Sequence, residues 1–480
     1  MVVAVVLLGA APAGAAVRLT TEPKLYPRFD SDVMDYVVRC DPKRRLVVSV
    51  DAGDEKVAVG DRAPRKGRFE VRLRRRTGEA FTVHVAKRTH HIRCLPRDFR
   101  TWRTVRRGTP QAQWYILTAL RSDGKRGYAA VFDRDGVPVW WWSTSKYMPW
   151  DAKLLPNGNL TWVRHRGDPF GLKDGITYDE RRLDGSLVRR VAAVGAPTDT
   201  HELTRLPNGN SYVLTYRPRD GVDLSAHGGP SDARVFDSEI QELTPSGQVA
   251  WSWSSGDHID PSEVGRRWWP HLHNVAPRRG PGRTGYDLVH ANSVEPDGDG
   301  VILSARHVNA IYRIDKASGA IDWKLGGSTR SESLAVPGHL GDEDLFGGQH
   351  DARLYRDGTL TVFDNGTTLV RPPKALRYRI DPLAHTATEL ESIEHPAVPK
   401  SNAVGSARKL PGGNWVVFWG DTPFNSELSP SGDRVLDLIF DGQKVGYRLI
   451  PVLPGRLTAR QLRRGMDRMA AARSGRAGKP

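Results

Sequence analysis

The chain has 480 residues, 39% of them apolar and 26% charged, the balance of a globular protein too long for one ordinary domain. Its formal charge of +16 is carried near the ends: residues 17–108 hold 24 basic and 12 acidic side chains, residues 455–480 hold 8 and 1, and the 346 residues between them hold 39 and 42. The basic character lies in the appendages, as solvated strand and loop faces, and no nucleic-acid motif accompanies it, so nucleic acid is not an expected partner.

Residues 1–16, MVVAVVLLGAAPAGAA, combine a short apolar run with an Ala-x-Ala pattern. That is the core and cleavage site of an export signal; it lacks the basic leader segment and is too short to span a bilayer. A secreted or extracytoplasmic protein is expected, without an integral membrane segment once the signal is removed; a buried N-terminal strand is the alternative. Residues 17–108 alternate short apolar runs (Tyr36-Val-Val38, Leu46-Val-Val-Ser-Val50, Phe81-Thr-Val-His-Val85) with Gly, Asp and Pro turns. The pattern predicts a small antiparallel β-domain, a sandwich. Both cysteines, Cys40 and Cys94, fall inside it. In an exported chain an even pair confined to one domain reads as a disulfide, worth roughly 4 kcal/mol in the chain-entropy model; two core thiols are the alternative. Thr101–Gln113 reads as the connection to the larger C-terminal domain.

From 109 to 453 one theme recurs at roughly 50-residue intervals. Its first half is a hairpin around Leu155-Pro-Asn-Gly-Asn159, Leu206-Pro-Asn-Gly-Asn210, Pro296-Asp-Gly298, Arg356-Asp-Gly358 and Leu410-Pro-Gly-Gly-Asn414. Such turns accept positive φ, and strand-like residues come after each. The second half is a strand, a Gly turn and an apolar strand, as in Phe132–Gly136 before Trp140-Trp-Trp142 and Leu243–Gly247 before Trp251-Ser-Trp253. Four strands per unit and about six units predict an all-β fold, a six-bladed β-propeller preceded by the small N-terminal β-sandwich. A pair of sandwiches is the runner-up and leaves the equal registers unexplained. The Pro-, Arg- and Gly-rich insert from Gly256 to Gly285 reads as a surface loop. Residues 454–480 form a basic C-terminal tail, with one short helix and then disorder after Gln461.

Aligned on their turns, three copies carry histidine seven residues before the Asn or Asp: His201 before Asn208, His290 before Asp297 and His350 before Asp357. Two more copies carry Trp150 and Gly405 there, so the fold itself does not need imidazole. In a propeller, register-matched residues of successive blades ring a common axis, and the three histidines therefore converge on one mouth of the channel. Alternation along the strand aims Asn292 the way of His290. Arg306 ends the strand after the His290 hairpin, and a guanidinium fork among imidazoles suits a tetrahedral oxyanion such as sulfate or phosphate better than a metal.

Four stretches, Val289-His290-Ala291-Asn292-Ser293, Leu303-Ser304-Ala305-Arg306-His307, Gly348-Gln349-His350-Asp351-Ala352-Arg353 and Phe363-Asp364-Asn365-Gly366, resemble the bacterial arylsulfotransferases that use aryl sulfates as donors and need no phosphoadenosine cofactor. The resemblance covers most of residues 110–440, and the N-terminal β-domain is also similar to that family's. It implies an exported six-bladed propeller in which His350 matches the transiently sulfated nucleophile, while His201, His290, Asn292 and Arg306 match the sulfuryl-binding set. The expected partners are a small aryl sulfate donor and a phenolic acceptor, with no cofactor and no metal.

The residue types suit that chemistry. A neutral imidazole nitrogen can attack sulfur and later leave, splitting one transfer into two steps. Arg306, Asn292 and the other histidines can meet charge on the sulfuryl oxygens, and His201 or His290 can exchange the phenolic proton. Asp351 points to the opposite face of an ideal strand, so the partner orienting His350 is expected to be Asp364 or Asn365. Two other classes use the same histidines: a metal-dependent hydrolase or lyase with three imidazole ligands, and a non-catalytic propeller that binds an anion or glycan. The loops 167–174 and 220–230 are expected to shape the channel mouth.

Overall fold

Strict alternation marks the strand Arg68–Leu73: Phe69, Val71 and Leu73 are buried and Arg68, Glu70 and Arg72 exposed, so one face is apolar and must be covered. The computed structural model describes residues 17–118, 126–166, 174–276, 284–339, 345–442 and 446–476. The export-signal reading of 1–16 therefore lies outside the described residues, as does 167–173 of the first mouth loop. A three-stranded sheet (Arg18–Glu22, Leu46–Asp51, Arg68–Leu73) and a five-stranded sheet (Leu25–Tyr26, Asp35–Arg39, Arg88–Leu95, Ala80–Val85, Val57–Val59) share a core that includes Val48, Val71, Tyr36, Phe81 and Ile92. Cys40 and Cys94 form a disulfide within it. One pairing departs from the antiparallel expectation, since Asp35–Arg39 runs parallel to Arg88–Leu95. Alternation specifies which face is buried and says nothing about the direction of the neighbouring strand.

Six further sheets have four or five strands each. Five begin with the strands Met148–Leu154, Thr198–Arg205, Ala291–Asp297, His350–Leu354 and Ser406–Lys409, each joined to the next strand through one of the predicted turns. These five strands touch in succession, and Met148–Leu154 also meets Ile450–Val452, which is how a propeller lines its axis. The remaining sheet consists of Pro138–Thr144, Gly127–Phe132, Trp114–Thr118 and Ile450–Val452, so a strand from near the C-terminus completes it. The last sheet takes Trp102–Arg106 as its fifth strand, against Arg434–Phe440. The reading of Thr101–Gln113 as a connection is thereby corrected. Its arginines mask an amphipathic strand whose Trp102 packs edge-on against Phe99 and Phe132 and donates its indole N–H to Gly136 O at 2.9 Å.

By internal contacts the chain divides into one unit of Met1–Arg97, Val137–Val139 and Met466–Pro480 and another of Asp98–Gly136 and Trp140–Gly465. The boundary falls before the Trp102 strand rather than at 108. The tail also differs from expectation: the helix Ala459–Arg476 spans 18 residues, with Met466 and Met469 buried and Asp467 paired to Arg93 at 2.9 Å. The Gly256–Gly285 insert is not a plain surface loop. Among the described residues it carries three short 3-10 turns and the helix Trp269–Val275, and Ile259, Val264, Trp268, Trp269 and Leu272 join the core of the sheets that begin with Thr198–Arg205 and Ala291–Asp297, the third and fourth sheets of the propeller. Residues 277–283 of it lie outside the described residues.

Candidate active site

Each histidine sits at or beside the start of an axial strand where pairing is irregular. The register shifts between Thr198 and Leu203, between Ala291 and Ser293, and between His350 and Arg353; such bulges turn a strand and re-aim its side chains. His290 and Asp351 adopt left-handed backbone, with φ of 53° and 58°, a conformation that costs energy in non-glycine residues and persists where neighbours fix it. Asp287 supplies part of that fixing, accepting from the His290 backbone N–H at 3.0 Å.

The three imidazoles are brought together and nearly closed off from bulk water, at 6%, 5% and 2% exposure for His201, His290 and His350. The rings of His201 and His290 lie 4.9 Å apart, edge to face. His201 Nδ1 is 2.8 Å from Asp199 Oδ1, and His290 Nδ1 is 2.5 Å from Asp287 Oδ2. Each carboxylate therefore holds the proton on Nδ1 and makes Nε2 the exchanging nitrogen. His350 is held differently. Its Nδ1 lies 2.6 Å from Asn365 Oδ1 and 3.0 Å from Gly348 O, and the Asn365 amide is oriented by donating from Nδ2 to Ser401 Oγ and Val404 O. Both neighbours of Nδ1 can only accept, so Nδ1 carries the hydrogen and Nε2 the lone pair. Burial pushes the His350 pKa well below the ordinary histidine value, and the charges of Arg306, His201 and Arg448 add to the shift while Asn365 opposes it. The ring is neutral at neutral pH.

Asp364 does not reach His350: its Oδ1 accepts from the backbone N–H groups of Gly347 and Gly366 and its Oδ2 pairs with Arg371. Asp351 faces the other way, toward Arg353, Arg408 and Arg448. It belongs to a buried charged layer whose acids lie one register position past the histidines, where Asp151, Glu202 and Asp351 meet Lys153, Arg353, Arg408 and Arg448. Arg448 Nη2 and Tyr447 Oη both donate to Asn292 O, at 2.7 and 3.2 Å, which ties that layer to the histidines.

Asn292 is fully buried and donates from Nδ2 to Gln349 O at 2.8 Å, next to His350, while its Oδ1 finds no partner among the described residues. The alternation that was to aim it with His290 does not survive the register shift at Ala291/Ser293. Arg306 lies with the histidines: its backbone N–H donates to His290 O at 3.0 Å, its Nη1 to His307 Nε2 at 3.0 Å and its Nη2 to Asn402 O at 2.9 Å. Burial lowers its pKa to about 10, so it remains a cation at neutral pH.

Sequence reasoning left Asp199, Asp287, His307, Trp268, Tyr447 and Arg448 without a role. The Arg306-His307 pair and the Asp-x-His of Asp199 and His201 were visible signals. Nothing in the repeat pointed to Trp268 or to Tyr447-Arg448, which reach the site from outside the aligned hairpins.

Asp287, His290 and His307 offer ligand atoms within 4.8 Å of one another, the geometry a metal would ask for, but their donor set does not fit one. His307 Nδ1 faces Asp287 O at 2.7 Å and its Nε2 faces the Arg306 guanidinium, so both nitrogens are engaged and a bound cation would stand against a buried positive charge. A buried guanidinium among imidazoles favours an anion.

Among solved structures, the chain is similar to a 6-phosphogluconolactonase of Bacteroides fragilis NCTC 9343, described as putative (12% identity, TM-score 0.40, covering 71% of this chain and 98% of that one). It is similar also to the Cps50 (Swd1) β-propeller domain of Myceliophteria thermophila (11%, 0.32, 72% and 90%) and to the Dos1 propeller (11%, 0.31, 72% and 77%). No curated protein matches its sequence. The family model described as Arylsulfotransferase (ASST) matches residues 190–441, a span that contains His201, His290, Asn292, Arg306, His350 and Asn365, and the chain belongs to the arylsulfotransferase family.

Proposed function

We propose that the protein moves a sulfuryl group from an aryl sulfate ester to a phenolic acceptor by a ping-pong route through a sulfohistidine at His350, with no phosphoadenosine donor. The observation that carries this reading is the His350 tautomer: a neutral, buried imidazole whose Nδ1–H is held by Asn365 Oδ1 and Gly348 O, leaving the Nε2 lone pair as nucleophile beside a buried cation.

In the first half-reaction Nε2 attacks sulfur, the S–O(aryl) bond breaks, and the departing phenolate takes a proton from Nε2 of the protonated form of His201 or His290, which is left neutral with its Nδ1–H on the carboxylate. The ring positive charge that develops on His350 is met by Asn365 Oδ1. In the second half the same imidazole removes the acceptor's phenolic proton, the acceptor oxygen bonds to sulfur, and the S–N bond breaks to restore neutral His350. Arg306 neutralises sulfuryl charge in both transition states; a fixed donor in a water-poor site is typically worth about two to three powers of ten in rate. Asn292 serves the substrate site through its amide beside His350. Small-molecule donor and acceptor follow from the family. The Cys40–Cys94 disulfide supports an extracytoplasmic home, and no helix among the described residues is long and apolar enough to cross a membrane.

The test is incubation with 4-nitrophenyl sulfate, with and without added phenol, followed by peptide mapping. Without acceptor, an acid-labile sulfated peptide containing Gln349-His350-Asp351 is expected; with both substrates varied, parallel double-reciprocal lines. His350→Asn should abolish adduct and transfer while preserving the fold, because Trp150 and Gly405 fill the same register position. A variant that transfers at the wild-type rate would refute the nucleophile, and anion binding without turnover would favour the binding-propeller reading.

A further inference from the structure

The insert between the third and fourth sheets delivers a side chain onto Arg306. Its 3-10 turn Arg266–Trp268 ends on Trp268, which is 2% exposed. The guanidinium sits over the indole ring, with Arg306 Cζ 4.4 Å from the ring centroid, and the indole ring centre is 4.6 Å from that of His307. The Trp268 Nε1–H donates to Asn309 Oδ1 at 2.9 Å, and the same oxygen accepts from the backbone N–H of Gly348 at 2.9 Å, two residues before His350. Gly348 has φ of 74°, and a Cβ on it would stand 2.8 Å from the Trp268 ring. The indole is thus wedged between Arg306 and the backbone that leads to His350.

His307 holds the other side of the guanidinium. Its Nδ1–H donates to Asp287 O, which leaves Nε2 to accept from Arg306 Nη1, and its ring stacks on His290 at 4.6 Å. Only a neutral imidazole can accept in this way. Burial and the neighbouring His290 and Arg306 keep it neutral, with a pKa well below the usual histidine value. Asn402, whose O takes Nη2, is itself anchored through its backbone N–H and its Nδ2 to Asp421, at 2.8 and 3.0 Å. With both Nη atoms and one face engaged, the buried Nε–H finds no partner among the described residues.

We infer that Trp268 and His307 are positioning residues for sulfuryl transfer: acting through Arg306, they hold its guanidinium in one orientation with Nε–H free for an oxyanion, and so make the turn Arg266–Trp268 part of the substrate site. The inference rests on the sulfuryl reading above. Fixing an arginine costs the rotamer entropy of its long side chain, and the attraction of a desolvated cation to an indole face offsets that cost. Removing either brace lets the fork wander within a site that works only when it is fixed.

A double-variant cycle tests this, using kcat and KM with 4-nitrophenyl sulfate and phenol, together with calorimetric binding of 4-nitrobenzenesulfonate, whose C–S bond is not transferred. Trp268→Ala and His307→Leu should each lower kcat about 10- to 100-fold with KM changed by less than about threefold, the size of effect expected when an orienting partner is lost. Trp268→Phe, which keeps a ring face, should recover most of the loss. In an Arg306→Ala background both substitutions should change kcat by less than about twofold, because the residue they act through is gone. Losses that multiply in the double variants, or wild-type kcat in Trp268→Ala and His307→Leu, overturn the inference and leave the sulfuryl reading standing. A wild-type protein that neither turns over the sulfate nor binds the sulfonate overturns both.

Discussion

Asn365→Asp places a carboxylate where a neutral amide now accepts from His350 Nδ1 at 2.6 Å. With the two charge centres about 5 Å apart and an effective dielectric of about 20, the attraction for an imidazolium is roughly 3 kcal/mol, equivalent to about two pKa units. Part of that is lost, because one carboxylate oxygen would face Val404 O, to which Asn365 Nδ2 now donates at 2.9 Å. A net rise of about one unit or more remains after that discount. The sign depends on which form reacts. Protonated His350 has no lone pair on Nε2, so raising its pKa removes activity from the acid side upward. In the wild type, burial and Arg306 hold the pKa well below 6.5, and kcat/KM should show no acid limb from His350 near neutrality. In the variant that limb should move to higher pH than in the wild type, with activity regained above it. The assay is the pH profile of kcat/KM for 4-nitrophenyl sulfate, with circular dichroism to verify folding. A variant that keeps its activity with an unmoved acid limb would refute the claim that Asn365 sets the protonation of the nucleophile.

Arg306→Lys keeps the charge and loses the planar fork, so kcat should fall by about two powers of ten with the melting temperature nearly unchanged; an unchanged rate removes Arg306 from the site. Asp351→Asn leaves Arg353, Arg408 and Arg448 short of a buried carboxylate and should cost about 3 to 5 kcal/mol in urea unfolding. Because those guanidinium groups hold the Asp351 pKa far below the usual carboxylate range, its contribution to stability is full above about pH 4 and is lost as pH falls through the depressed value. Thiol labelling of denatured, unreduced protein should find no reactive Cys40 or Cys94; after reduction, stability should drop by up to about 4 kcal/mol.

The sequence alone determined the repeat, and through it the all-β class, the hairpin turns and the common register of His201, His290 and His350. The physical reason is local: Asn-Gly and Asp-Gly turns, apolar alternation and fixed spacing act within a few residues, and a ring of similar units converts equal spacing into proximity. Asn365 as a partner of His350 was legible to within one residue, since a paired strand offers only two candidates there. Arginine-rich segments misled, because the amphipathic strand Trp102–Arg106 and the helix Ala459–Arg476 bury only one face and leave their charges in solvent. Tertiary structure alone decided what no local rule reaches. The bulges at the starts of the axial strands broke the alternation that was to aim Asn292. The 256–285 insert folded onto the core and brought Trp268 to Arg306, and Tyr447-Arg448, far from every aligned hairpin, met Asn292 across the axis. Those contacts join residues separated by tens to hundreds of positions, and they exist because the ring of blades closes, which no window along the chain can register.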